Sequence, residues 1–241
     1  MKYLFEERLI EGLIKSRPNR FIMMVEIKGK VHRCHCPSTG RIGDIEFIDI
    51  PCLASKATTP NRLTDFTIEA ISLDSVKKTK KSWIGINQTK ANKYIEFFIK
   101  NNLFPEMLRS NKDVKRESKL GNSRIDFKVG NDYLEVKMPL ITLPTNNFPK
   151  RAHSKFDSFD RLIKHFNDLA DSINKDSKAI ILLCYVYDAK PFMRPKLDDD
   201  NKKILSAAKR SQNKGVENWQ VNLKIDEEGV SLRKYFGLNL F

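Results

Sequence analysis

The sequence predicts two domains of different class: a small β-barrel over residues 1–86 and a mixed α+β or α/β domain over residues 87–241. Three observations predict it. Up to Ile86 the apolar runs are short, alternating and bounded by turn signals, with no helical period. From Asn87 the pattern becomes helix, three strands, helix, strand. Two Gly-Asn pairs, Gly121-Asn122 and Gly130-Asn131, separate the three strand-like runs at two-residue hairpin spacing. A chain of 241 residues with 40% hydrophobic and 31% charged residues can bury a core for each part.

In the first part, strands are expected at Arg20–Lys28, Val31–Cys36, Asp44–Ile50 and Phe66–Leu73. Lys28-Gly29-Lys30 and Pro37-Ser38-Thr39-Gly40 supply the turns. Several short strands and no long helix point to a small barrel, and the OB-fold is the small barrel best suited to nucleic acid. Lys77-Lys78-Thr79-Lys80-Lys81 reads as a solvated junction or a backbone contact. His32-x-Cys34-His35-Cys36 invites a zinc reading, but structural zinc sites space cysteines by about two to four residues and need a second ligand pair. Only Cys52 is near, so strand packing is the better reading and no zinc is expected.

In the second part, Asn87–Asn102 carries Ile95, Phe98 and Ile99 on one helical stripe. The runs around 114–137 then form a three-stranded meander. If both turns are two-residue loops, Asp126 faces Glu135, Arg124 faces Lys137 and Glu117 faces Asp126. Side-chain alternation would place the three carboxylates in a row on one face. Ile125, Phe127, Val129, Leu134 and Val136 would line the other. Phe156, Phe159, Ile163, Phe166 and Ile173 recur at helical spacing through 155–174, and Ala179–Tyr187 reads as a buried central strand. A polar helix around Asp199–Asn213 and a closing strand around Glu217–Ile225 follow. This order is the αβββαβ core of restriction-endonuclease-like folds.

Directly opposed carboxylates destabilise a sheet. They are solvated, paired with Arg124 and Lys137, or bridged by a divalent cation. Mg²⁺ or Mn²⁺ suits such a pair, because a hard ion takes one or two carboxylates and a phosphate. Lys137, two residues past Glu135 and on its face, could serve an attacking water or neutralise charge on an attacked phosphate. The Asp126…Glu135-x-Lys137 pattern resembles the PD-(D/E)xK nuclease superfamily. The site expected from it is Asp126 and Glu135 as metal ligands, Glu117 assisting, and Lys137 on the attacking water.

Net charge is +14 and the pI near 9.6, which favours a polyanionic partner. The excess is spread: residues 1–86 hold 15 basic against 10 acidic residues, and the remainder 29 against 20. DNA is the expected partner, although nothing in the residues separates it from RNA. Arg20, Arg41, Lys77, Lys78, Lys80, Lys81 and Arg124 are the candidate phosphate contacts. No apolar stretch approaches the ~20 residues that span a bilayer, and no signal peptide is read. Four cysteines form no disulfide framework in a chain this long. A cytoplasmic protein with reduced thiols, and with no membrane partner, is expected.

His35-Cys36-Pro37-Ser38-Thr39-Gly40, Ser123-Arg124-Ile125-Asp126-Phe127 and Glu135-Val136-Lys137 resemble signatures of the sugar fermentation stimulation protein A family. Arg20-Phe21, Trp83-x-Gly85-x-Asn87 with Asn92, Phe192-x-Arg194-Pro195 and Gly215-Val216-Glu217 are similar to further family landmarks in the same order. The resemblance implies an N-terminal OB-like domain, a C-terminal nuclease-like domain and DNA binding. The chain departs from the pattern twice. The family's first-helix glutamate falls on Phe97, one position from Glu96. The stretch holding its Arg-Gly and Lys-His elements falls on Lys150–Asp160, where Arg151, His153 and Lys155 offer similar chemistry. A metal-dependent nuclease is the leading reading. A DNA-binding regulator that keeps the nuclease fold is the competing one.

Overall fold

The computed structural model describes the chain except for residues 39, 44, 59–61, 141–142, 145–159, 198 and 200. The barrel is built from β2 (Ile10–Asn19), β3 (Ile22–Ile27), β4 (Lys30–His35), β5 (Ile50–Lys56) and β6 (Phe66–Ile71), after a short β1 (Lys2–Leu4). Neighbours run β4-β3-β2-β5-β6, and a parallel pairing of Cys34 with Phe66 and His35 with Thr67 closes the ring. A closed five-stranded barrel of this kind is an OB-fold. Its interior is filled by the inward residues of each strand, among them Ile14, Met23, Val25, Cys34, Leu53 and Ile68.

Two strands depart from the sequence reading. β2 carries Gly12 and Pro18, residues that normally punctuate strands. Gly12 lies where an added Cβ would meet Val25 Cγ1 at 2.8 Å, so the absent side chain lets the neighbouring strand close in. Pro18 falls between Ser16 and Asn19, where the register against β3 shifts. The strand expected over Asp44–Ile50 is displaced: residues 45–49 are irregular, and β5 begins at Ile50 and runs through Pro51. Pro51 contributes through its carbonyl, which accepts the Ser72 N–H at 2.8 Å.

β7 (Ile84–Gly85) pairs with β6 and leads into α1 (Gln88–Lys100). The second sheet then forms from β8 (Val114–Leu120), β9 (Ser123–Val129), β10 (Asp132–Lys137), β11 (Ala179–Tyr185), β12 (Glu217–Ile225) and β13 (Gly229–Leu238). Its order is β1-β13-β12-β11-β10-β9-β8, so β11 is central and runs parallel to β10 and β12. Alternate residues of β11 serve different layers. Ile180 and Leu182 share a core with α1, whereas Ala179 and Ile181 pack with α2 (Asp160–Ser172) and α3 (Lys202–Asn213). β13 extends the sheet beyond the strand at which the sequence reading stopped. Lys2–Leu4 pairs with β13, so the first strand belongs to the second sheet and not to the barrel. Among the described residues no helix is long and apolar enough to cross a membrane.

Barrel and sheet share one apolar cluster, and one tight joint between them is at Gly85. Its N–H donates to the Val186 carbonyl at 2.9 Å, and a Cβ there would lie 2.6 Å from Val186 Cβ. Gly85→Ala should therefore destabilise the protein by about 1–3 kcal/mol, the usual cost of overpacking. Urea denaturation would measure it. The cost should shrink in a Val186→Ala background, and an equal cost in both would place the strain elsewhere.

Candidate active site

The site is made by an interruption in a hairpin. Gly121 (φ 54°) and Gly130 (φ 57°) adopt the left-handed backbone that two-residue turns require. Leu120 accordingly pairs with Ser123, and Val129 with Asp132. Between β9 and β10 the backbone ladder runs to Leu134 opposite Phe127 and then stops. The next pair is Asp126 and Glu135, and there side chains replace backbone. Asp126 Oδ2 accepts the Val136 N–H at 2.8 Å, and Glu135 Oε2 accepts the Asp126 N–H at 3.2 Å. Carboxylates inserted where carbonyls would sit hold the two strands apart and turn both acids into the gap.

The same level is bent in β8. Glu117, at the level skipped between the Arg116–Phe127 and Ser118–Ile125 pairs, has φ 52°, a conformation uncommon for a residue with a Cβ. The alternation of β9 breaks there as well: Phe127 belongs to the core shared with α1, whereas Ile125 packs against α2. The expected single core-facing set is thus split between two layers. Glu117 stays on the surface, 64% exposed, with Arg124 3.9 Å away. Among the described residues no hydrogen bond or ion pair joins it to Asp126 or Glu135.

Three further groups complete the cluster. Asn92 of α1 donates to Asp126 Oδ1 at 2.8 Å. Lys137 Nζ donates to Glu135 Oε1 at 2.5 Å. His165 of α2 lies with Nδ1 2.6 Å from the same oxygen. Glu135 and His165 are almost fully buried. Burial, then the charge of Glu135, pushes Asp126 above the usual carboxylate range, against the opposing hydrogen bonds from Val136 and Asn92. Burial also pushes Glu135 up, but the His165 hydrogen bond and the Lys137 charge outweigh it and hold it low. The pair therefore shares its negative charge unequally, as closely placed carboxylates do.

His165 escaped the sequence reading. Its signal was a polar residue among Leu162, Phe166 and Leu169 on the apolar side of α2, and it follows Lys164. Arg151, His153 and Lys155 lie outside the described residues. Glu96 is committed elsewhere, to Lys100 at 2.7 Å and Arg116 at 3.3 Å, so α1 brings an amide to the site rather than a carboxylate.

The barrel buttresses this centre. Gln88 Nε2 donates to the Met138 carbonyl, one residue past Lys137, and Gln88 Oε1 accepts from Ser38 Oγ, both at 2.9 Å. The Gly43 N–H donates to the Leu140 carbonyl at 2.7 Å. Arg17 holds the Ser38 and Gly40 carbonyls at 3.0 and 3.3 Å. The His35–Gly40 signature thus joins the barrel to the strand end that carries Lys137. Cys34, Cys36 and Cys52 are fully buried, and burial pushes the Cys34 thiol up to about 12, which disfavours the thiolate that zinc requires.

The basic candidates divide. Arg20 is exposed, its guanidinium 4.7 Å from the Phe21 ring centroid, and Arg41 is half-buried. Lys77 and Lys80 are exposed. Lys78 pairs with Asp74 at 2.9 Å, and Lys81, 6% exposed, with Glu11 at 2.8 Å. Arg124 is exposed beside the Asp126–Glu135 pair.

An OB barrel followed by a layered sheet whose hairpin presents Asp…Glu-x-Lys defines a protein of restriction-endonuclease-like architecture. Residues 16–86 match the SfsA N-terminal OB domain and residues 89–229 the sugar fermentation stimulation protein RE domain. The chain belongs to the sugar fermentation stimulation protein family. It is 26% identical to a homolog from Natranaerobius thermophilus, covering 96% of this chain and 94% of that protein. It is 30% identical to one from Clostridium tetani, covering 91% and 92%. A solved structure of Pyrococcus furiosus SfsA in complex with Ca²⁺ superposes over the whole of both chains with a TM-score of 0.76 at 19% identity, which is a likeness of fold.

Proposed function

We propose that this protein is a divalent-metal-dependent nuclease acting on DNA. The observation that carries the reading is the interrupted hairpin, which aims Asp126 and Glu135 into one gap with Lys137 beside them. The donor set fits a hard cation: Asp126 and Glu135 offer oxygen, and the upward push on Asp126, from burial first and then from the Glu135 charge, is one that a bound cation would oppose. The Ca²⁺ complex of Pyrococcus furiosus SfsA, whose fold this chain shares, supports divalent-metal binding. Mg²⁺ or Mn²⁺ would supply positive charge to the scissile phosphate and the attacking water. Asn92 fixes the Asp126 carboxylate, and His165 fixes that of Glu135. Lys137, with its side chain 30% exposed, reaches from Glu135 toward solvent and is the group able to hold a proton or a charge on the attacked phosphate. The net charge of +14 supports a polyanionic substrate.

One observation favours a second reading, a DNA-binding regulator that keeps the nuclease fold. Lys137 and His165 both bond Glu135 Oε1, and together they can balance its charge. Soaking crystals with Mn²⁺ separates the two. An anomalous peak between Asp126 and Glu135 is expected, and its absence at millimolar Mn²⁺ would leave only the regulator.

A further inference from the structure

We propose that the cleft between the barrel and the start of α1 is the track of a single nucleic-acid strand leading into the Asp126–Glu135 site. The destination rests on the nuclease reading above, and the track itself on four observations.

The first is size. The cleft encloses about 620 Å³, between β5, β6, Thr58 and Arg62 on one side and α1 and the first residues of the chain on the other. Small-molecule pockets run to roughly 300–1,000 Å³. That volume takes one or two nucleotides and excludes a duplex.

The second is chemistry. Lys56, Arg62 and Lys93 stand exposed on the barrel and α1 rim, and Lys56 and Lys93 have no ion-pair partner among the described residues. The acid on the floor, Glu69, is fully buried and already satisfied by Lys90 at 2.6 Å, Ser55 at 2.6 Å and Asn87 at 2.8 Å. Glu6 and Glu7 line the cleft as well, on the side of the N-terminal segment. Phosphates therefore run along the cationic rim. Bases turn toward Tyr3 and Phe5, which are half-buried in the same wall. A basic groove with aromatic faces is the combination that holds single strands without reading sequence.

The third is the fold. The β5–β6 connection joins the last two strands of the five-stranded barrel, and OB-folds use that loop for oligonucleotides. Arg62 lies on it.

The fourth is continuity. Thr89 and Lys93, one turn apart on α1, line the cleft, and Asn92 between Lys93 and the sheet bonds Asp126. Thr89 and Lys93 sit about 100° around the helix from Gln88 and Asn92, which face the active strand. A strand that leaves the cleft over Lys93 arrives at Asp126. The first turn of α1 holds no acidic residue to repel it.

Anisotropy titrations in EDTA test this without any cleavage. The ligands are labelled oligothymidylate and oligouridylate of about 12 nucleotides, within the OB site-size range, and a duplex of equal length. Each is titrated at several salt concentrations. The single strands should bind more tightly than the duplex. The triple variant Lys56→Ala, Arg62→Ala, Lys93→Ala should bind them at least tenfold more weakly. Its salt slope should fall by about 2, since each phosphate contact on a single strand contributes roughly 0.7. These residues are exposed, and an unchanged melting curve would establish that the variant is folded. Wild-type preference for duplex, or a triple variant that binds single strands as wild type does, overturns the track. Binding through the cleft by a protein that cleaves nothing would sink the nuclease reading and leave the track standing.

Discussion

Lys137→Ala is expected to lower DNA cleavage by about 10²–10³-fold while leaving DNA affinity nearly unchanged. That factor is the usual cost of removing one preorganised donor aimed at charge that develops in the transition state. Lys137 is the only lysine among the described residues bonded to the carboxylate pair, with Nζ 2.5 Å from Glu135 Oε1. The fold should survive its loss, because His165 still engages that oxygen and the Asp126 and Glu135 bonds to the backbone do not involve the amine. Lys137→Arg should rescue little. A guanidinium is a planar fork that does not give up a proton, whereas an ammonium is a compact point charge that can. Initial rates on DNA in Mg²⁺ or Mn²⁺, with binding measured in parallel, check both variants. A Lys137→Ala rate within about twofold of wild type would remove Lys137 from the chemistry. Equal loss of binding and rate would make it a substrate contact instead.

What the sequence disclosed about this centre, and what it hid, follows from how far each signal depends on neighbours. Gly121-Asn122 and Gly130-Asn131 were legible because positive φ is a property of the residues themselves, and both hairpins turn where they predict. The pairing of Asp126 with Glu135 followed from those turns by counting. The splay at that pair could not be counted. It arises because two carboxylates take over backbone hydrogen bonds, and two-residue alternation assumes an unbroken ladder. The same assumption put Glu117 in the row, whereas its left-handed backbone leaves the carboxylate on the surface beside Arg124.

Elsewhere local rules were outvoted by packing. Pro51 and Gly12 look like strand breaks in isolation, yet each occupies a position where a carbonyl or an empty Cβ position serves the barrel. β13 reads as GVSLRKYFGL, too polar to announce itself, and is made by pairing with β12. His165 was hidden in a helical stripe that Phe166 and Leu169 already explained.

Metal should stabilise the wild-type fold and fail to stabilise Asp126→Asn. At a free cation concentration 100 times Kd, linkage contributes about 2.7 kcal/mol. For a chain of 241 residues that amounts to a rise in Tm of about 5–10 °C. Glu135→Gln should lose the same rise. In EDTA the signs reverse. Asp126 is held above its ordinary value by burial and by Glu135, so the folded state binds that proton more tightly than the unfolded chain does. Its contribution is full below the ordinary aspartate value and is lost as pH rises through the raised folded value. Glu135 is held below its ordinary value, so its contribution is present above that value and is lost as pH falls through the lowered one. Asp126→Asn removes the first loss and relieves a like charge. The variant should therefore match or exceed wild type in EDTA at pH 7, while wild type overtakes it once Mg²⁺ or Mn²⁺ is added. The metal-dependent rise should also grow with pH across the titration of Asp126 and level off above it, since the cation needs the ionised carboxylate. Melting curves in EDTA and in excess metal from pH 4.5 to about 8 read all of this directly. A wild-type curve that metal leaves unmoved, with Asp126→Asn indistinguishable from it in EDTA, would mean that Lys137, His165 and Asn92 alone balance the pair. The interrupted hairpin would then be a structural joint and the regulator reading would stand.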